Sequence, residues 1–99
     1  MSARGSEAHR LRIPHDVADL VRHLHPQLKR KVRGALGAIA ADPRSGKPLK
    51  DDLAGLWSLR VGKFRVVYRI GTGRRVELVA VGSRERIYEE TFRLIKRDE

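Results

Sequence analysis

The sequence predicts a small α+β domain: an antiparallel sheet packed by an N-terminal helical hairpin, with a C-terminal helix, in the order β-α-α-β-β-β-α. Three observations carry this. Apolar residues recur at helical spacing over residues 14–42. After a loop rich in turn formers the period changes to two. A last stretch from about Glu85 to Arg97 returns to helical spacing. Helices grouped at one end of the chain, before a run of strands, make an α+β layering rather than an alternating one.

The elements follow in order. "HRLRI", residues 9–13, alternates and reads as a first strand, and Pro14 is suited to the first turn of a helix. Val17, Leu20, Val21 and Leu24 form one apolar stripe. Pro26 breaks or restarts the helix. Leu28, Val32, Ala35, Leu36 and Ile39 form the second stripe, with Lys29, Arg30, Lys31 and Arg33 facing outward, and Asp42-Pro43 ends it. Residues 43–55, "PRSGKPLKDDLAG", read as loop. Trp57, Leu59 and Val61 then share one strand face and Leu56, Ser58 and Arg60 the other. In the next strand Phe64, Val66, Tyr68 and Ile70 oppose Arg65, Val67 and Arg69. "GTGR", 71–74, is a turn, and "VELVAVGS", 76–83, is apolar on both faces apart from Glu77, as expected of a central strand covered on both sides. Ile87, Thr91, Leu94 and Ile95 mark the last helix, with Tyr88 and Phe92 beside them.

At 99 residues the chain reads as one domain over 9–97, preceded by a loose polar tail over 1–8. A chain this short buries only about 60–65% of the surface it exposes when unfolded, which leaves no material for a second core. It has no cysteine, so disulfides and thiolate metal sites are excluded, in keeping with a reducing cytoplasm. No run of about 18 apolar residues is present to span a membrane, and "MSARGSEAHR" has no apolar core of a secretory signal. Four histidines are scattered, and His23 and His25, two apart, do not share a helix face, so no metal is expected. "SGKP", 45–48, lacks the spacing of a phosphate loop. No cofactor is expected.

The charge points to a partner. Twenty-two basic residues face 12 acidic ones, a formal net charge of +10, which favours a polyanion. From Ala54 to Val76 the six charged residues, Arg60, Lys63, Arg65, Arg69, Arg74 and Arg75, are all basic. With a two-residue turn at Gly62-Lys63, Val61 pairs with Phe64 and Arg60 falls opposite Arg65. Like charges directly across a sheet are destabilising. Either the arginines lie on a solvated face, their stems covering apolar surface, or they clamp an anion, since guanidinium forks suit phosphate. Arg84 follows the last strand and Tyr88 opens the last helix. Arginines with an aromatic ring suit RNA, the cations for phosphate and the ring for an unstacked base. An ion pair of Arg84 with Glu85 or Glu89, and a half-buried core position for Tyr88, are the plainer alternatives.

"DPRSGKPLKDDLAGLWSLRVGKFRVVYRI" followed by "VGSRERIY" resembles the RelE/ParE superfamily of bacterial toxins, and specifically its RelE branch, over roughly residues 9–96. The resemblance implies the RelE-like fold. It implies the toxin of a type II toxin–antitoxin system, a metal-independent, ribosome-dependent endoribonuclease that cuts messenger RNA in the A site by attack of the 2′-hydroxyl. The other activity on this scaffold is gyrase inhibition of the ParE type, without nuclease chemistry. Carried over residue by residue, Arg65 contacts the scissile phosphate, Arg84 serves the leaving group, and Tyr88 stacks on or orients the nucleotide. Arg60 and Ser58 stand where the best-studied members have lysines, so Arg60 keeps a cation and Ser58 does not. Lys63, Arg69, Arg86 and Ser58 are the expected RNA contacts around the catalytic set Arg60, Arg65, Arg84 and Tyr88. Tyr88 and Glu85 are the candidates for the base, since arginine stays protonated. The implied partners are messenger RNA, the ribosome and a cognate acidic antitoxin, with which a hetero-oligomer forms; the implied location is the cytoplasm.

Overall fold

The computed structural model describes residues 8–98, the last two by their backbone alone. The tail expected over residues 1–8 therefore lies, except for Ala8, outside the described residues. The elements are β1 (Arg10–Arg12), α1 (His15–Arg22), α2 (Pro26–Ala41), β2 (Lys47–Pro48), β3 (Leu56–Val61), β4 (Phe64–Ile70), β5 (Arg75–Ser83) and α3 (Ile87–Asp98). Short 3-10 turns flank β2 at Pro43–Ser45 and Asp51–Leu53.

The sheet order is β1-β5-β4-β3-β2. The meander β3-β4-β5 is antiparallel, as is β2 against β3, whereas β1 lies parallel to β5. A parallel neighbour needs a crossover, and the α1–α2 hairpin begins it. The β3–β4 turn is two residues long, with Val61 paired to Phe64 and Arg60 to Arg65. Gly62, at φ +61°, takes the first central position, where the left-handed backbone matches the twist of a hairpin.

Helix boundaries have local causes. Pro26 sits in the first turn of α2, where its missing N–H removes no helical bond. The His25 ring accepts a hydrogen bond from the Gln27 amide at 3.2 Å and so caps that helix. Asp42 ends α2 in an extended conformation and accepts from the Arg44 amide at 3.1 Å.

Two apolar clusters hold the layers together. The first joins Val17 of α1 and Val32, Leu36 and Ile39 of α2 to Val61, Val66, Tyr68, Val76, Leu78 and Val81 of the sheet, with Trp57, Leu59 and Phe64 packed against it. The second lies on the opposite sheet face, where Leu56, Val67, Ala80 and Ile87 are buried with Tyr88, Leu94 and Ile95 around them. The face away from the hairpin is therefore covered by α3 over much of its area, and its end near Gly62 is cationic and open. β5 serves both clusters by alternation, and a bulge changes which of its residues faces which. Val67 pairs with Ala80 but Tyr68 pairs with Leu78, which leaves Val79 as an extra residue. The extra residue keeps Val76, Leu78 and Val81 all on the hairpin side.

Tyr68 is fully buried, and its hydroxyl donates to the Pro43 carbonyl. Burial pushes the phenol above the ordinary tyrosine value of 10.0. The folded state thus favours the protonated form. Its contribution is complete below about pH 10 and is lost as the pH rises from there through the folded-state value. Tyr68→Phe strands the Pro43 carbonyl and is expected to cost about 1–3 kcal/mol at neutral pH. Denaturant titrations of both proteins should converge above pH 10; parallel curves throughout would contradict this account.

Candidate functional site

Ser58 is the centre of the site. It lies on β3, is only 1% exposed, and faces α3. Its Oγ accepts a hydrogen bond from Nη1 of Arg65 on β4 at 3.3 Å and another from the Tyr88 hydroxyl on α3, also at 3.3 Å. The Arg65 guanidinium carbon stands 5.8 Å from the centre of the Tyr88 ring, within cation–π range. Three elements thus hold one cation beside one aromatic ring around one neutral hydroxyl.

The opposed arginines avoid each other by turning apart. Arg65 reaches along the sheet to Ser58, while the exposed Arg60 turns toward the hairpin tip, its Nε donating to the Gly62 carbonyl at 3.4 Å. No anion between them is needed to account for the register.

Gly82 lets α3 approach. It pairs with Arg65, and a Cβ there would meet Ile87 Cδ1 and Glu90 Oε1, each at 3.1 Å. The Arg84 amide donates to the Lys63 carbonyl at 2.9 Å, which ties the segment before α3 to the hairpin tip. Arg60, Lys63 and Arg84 are therefore exposed cations around that tip.

The remaining expected residues stand elsewhere. Arg69 shares the sheet face but lies at the other end of β4, 3.7 Å from Glu77. Glu77 also pairs with Arg12 at 3.6 Å. The bulge brings that acid beside Arg69, so a cation grouped with the binding face in the sequence is partly neutralised. Arg86 is exposed in the turn before α3. Arg84 makes no ion pair among the described residues; Glu89 pairs instead with Arg93 at 3.1 Å.

Two lysines beside the site were not legible in the sequence. Lys47 of β2 pairs with Ser58. Lys47 and Lys50, with Leu49, Asp51, Leu53 and Tyr88, line a cleft of about 410 Å³. Their signal was the "KPLK" within a segment that reads as loop. A two-residue strand has too little alternation to be seen.

The fold has known counterparts. The ParE toxin family of type II toxin–antitoxin systems, parDE, matches residues 11–88. Toxin RelE of Mycobacterium tuberculosis is 44% identical over 59 residues, which are 58% of this chain and 61% of that protein, so the match spans less than two thirds of either. Among solved structures, the toxin–antitoxin complex RelBE2 of Mycobacterium tuberculosis is 31% identical, with a TM-score of 0.68, covering 78% of this chain and 99% of that one. A mutant of the E. coli toxin RelE in the free state has a TM-score of 0.70 over 91% of this chain and 97% of that one; at 20% identity it speaks to the fold alone. With most of its length matched by the family and its architecture shared with these structures, the chain belongs to the RelE/ParE superfamily of type II toxin–antitoxin toxins.

Proposed function

We propose that this protein is a ribosome-dependent endoribonuclease that cleaves messenger RNA in the A site, as the toxin of a toxin–antitoxin pair. The observation that carries the reading is the Arg65–Ser58–Tyr88 cluster, which holds a phosphate-binding cation beside a ring able to stack on a base. In the proposed reaction the substrate's 2′-oxygen attacks the adjacent phosphorus and passes its proton to a base, for which Tyr88 and Glu85 are the candidates. The bond to the 5′-oxygen breaks, leaving a 2′,3′-cyclic phosphate and, after protonation, a 5′-hydroxyl. Arg65 stabilises the charge that develops on the phosphoryl oxygens, Arg84 and Arg60 lie toward the leaving side, and Tyr88 orients the nucleotide. Alignment of the message by the ribosome supplies much of the remaining barrier reduction. The exposed Arg30, Lys31 and Arg33 and the half-buried Lys29 on α2, a helix without an acidic residue in its 16 positions, add to the attraction of a large RNA.

The partner in this reading is an acidic antitoxin, matched to the net charge of +10. β1 covers β5 only as far as Glu77, and a groove of about 280 Å³ lies beyond it between α1 and α3, lined by Val17, Leu20, Val79 and Leu94. An antitoxin segment that silences the toxin covers Arg60, Arg65 and Arg84 or displaces α3. A structure of the pair with these side chains open and α3 in place would contradict that.

A second reading, gyrase inhibition, is favoured by the ParE family match and by the neutral residue at Ser58. The two separate when one preparation is given a translating message and, in parallel, gyrase with relaxed plasmid. Message cleavage with normal supercoiling supports the nuclease; the reverse supports the inhibitor. Within the nuclease reading, Arg84→Ala should lower the cleavage rate about 10²-fold; Tyr88→Phe should lower it about tenfold if the hydroxyl only bonds Ser58 and by more if it is the base, since phenylalanine keeps the ring and loses the hydroxyl.

A further inference from the structure

We infer that the cleft between Tyr88 and the β2 segment is the subsite for one nucleotide of the bound RNA, and that Lys47 supplies its phosphate contact. The inference rests on the nuclease reading for its ligand class and on two separate observations for its place. The first is register. Lys47 is the cross-strand partner of Ser58, and directly paired residues in an antiparallel ladder point to the same sheet face. Lys47 therefore flanks Ser58 on the strand outside it, while Arg65 reaches the same Oγ from the strand inside. A neutral hydroxyl thus has a basic residue on each neighbouring strand. The second observation is the cleft. It measures about 410 Å³, and its lining has a division of chemistry that fits a nucleotide. Leu49 and Leu53 belong to the apolar cluster on this face and offer a floor for a base. Tyr88 offers a ring edge or face, Lys47 and Lys50 offer charge, and Asp51 offers an acceptor for an exocyclic amino group.

The cation set is local. Lys47 and Lys50 are exposed and make no ion pair among the described residues, although Asp51 and Asp52 follow directly in sequence. A nucleotide uses all four features, and RNA is the ligand the lining favours.

The chain has two tyrosines, Tyr68 in the core and Tyr88 in the cleft, so tyrosine-labelled protein gives a built-in control. A trinucleotide carrying 2′-O-methyl groups is the probe, because it cannot be cut by 2′-hydroxyl attack. Titration should move the Tyr88 ring signals and leave those of Tyr68 in place. Lys47→Ala should weaken binding several-fold and lower the slope of log affinity against log salt by about 0.7, the value for one phosphate contact on a single strand. Lys47→Arg should restore both. Unmoved Tyr88 signals, an unchanged salt slope in Lys47→Ala, or occupation of the cleft by an acidic peptide but not by the trinucleotide would each overturn the inference. Binding is read without ribosomes. A protein that binds the probe at Tyr88 and Lys47 yet cuts no message would therefore refute the nuclease reading and leave the subsite standing.

Discussion

Arg65→Ala is expected to reduce single-turnover cleavage of ribosome-bound message by about 10²–10³-fold, the range for removing one preorganised donor from a developing oxyanion. The loss should fall on the rate of the chemical step, because the other cations around the hairpin tip still attract RNA. Folding should be nearly unaffected. Arg65 is half-buried, Val66 and Val67 beside it keep their places in the two cores, and Ser58 keeps its bond from Tyr88. Arg65→Lys keeps the charge but not the fork that reaches Ser58 while presenting further donors to phosphate, so it should recover only part of the rate. Equal rates in wild type and Arg65→Ala, with matched melting temperatures, would remove this arginine from the mechanism.

Gly46→Ala should have the largest effect on stability among single added methyl groups. A Cβ at Gly46 would lie 2.7 Å from the Ser58 carbonyl oxygen and would run into the Tyr68 hydroxyl. The first is backbone in the middle of a sheet and the second is fixed by its bond to Pro43, so neither can give way cheaply. Overpacking of this kind costs about 1–3 kcal/mol, and at about 4–8 °C per kcal/mol for a domain of this size the melting temperature should fall by roughly 5–20 °C. The Lys47–Ser58 register adjoins the same clash, so RNA binding should suffer as well. Gly34→Ala and Gly37→Ala are the contrasting cases. Both glycines are exposed on α2 with nothing within 4 Å of an added Cβ. Each should raise stability by about 0.5–1 kcal/mol. A thermal melt of the three variants checks both signs together, and a harmless Gly46→Ala would mean that the turn at 43–46 is not held as described.

The legible parts of the fold were those with repeated local signal. Strict alternation on both sides of Gly62-Lys63 gave the β3–β4 register to the residue, and with it the placement of Arg60 opposite Arg65. The stripes of α1, α2 and α3 were equally plain. The direction of β1 was hidden, because three residues carry no sign of whether their neighbour is parallel. β2 was hidden for the same reason of length, and Lys47 and Lys50 with it. The apolar character of β5 on both faces was readable, but the bulge at Val79, which puts Val81 on the hairpin side, depends on pairing with β4. The candidate site was legible as a set of residues more than as an arrangement. Ser58, Arg65 and Tyr88 come together, but the direction each arginine takes is decided by partners far along the chain: the Arg65 bond to Ser58 spans 7 residues and the Tyr88 bond to Ser58 spans 30. Arg69 read as a free cation because Glu77 is distant in sequence and adjacent only across the ladder.

The most direct test of the proposed activity is primer extension on a defined message in a reconstituted translation system, with wild type and Arg65→Ala run side by side, with and without ribosomes. The expected result is a set of cuts within codons that requires translating ribosomes and disappears with the mutant. A message that stays intact under wild-type protein would contradict the nuclease account, and one cut equally by both proteins would remove Arg65 from it.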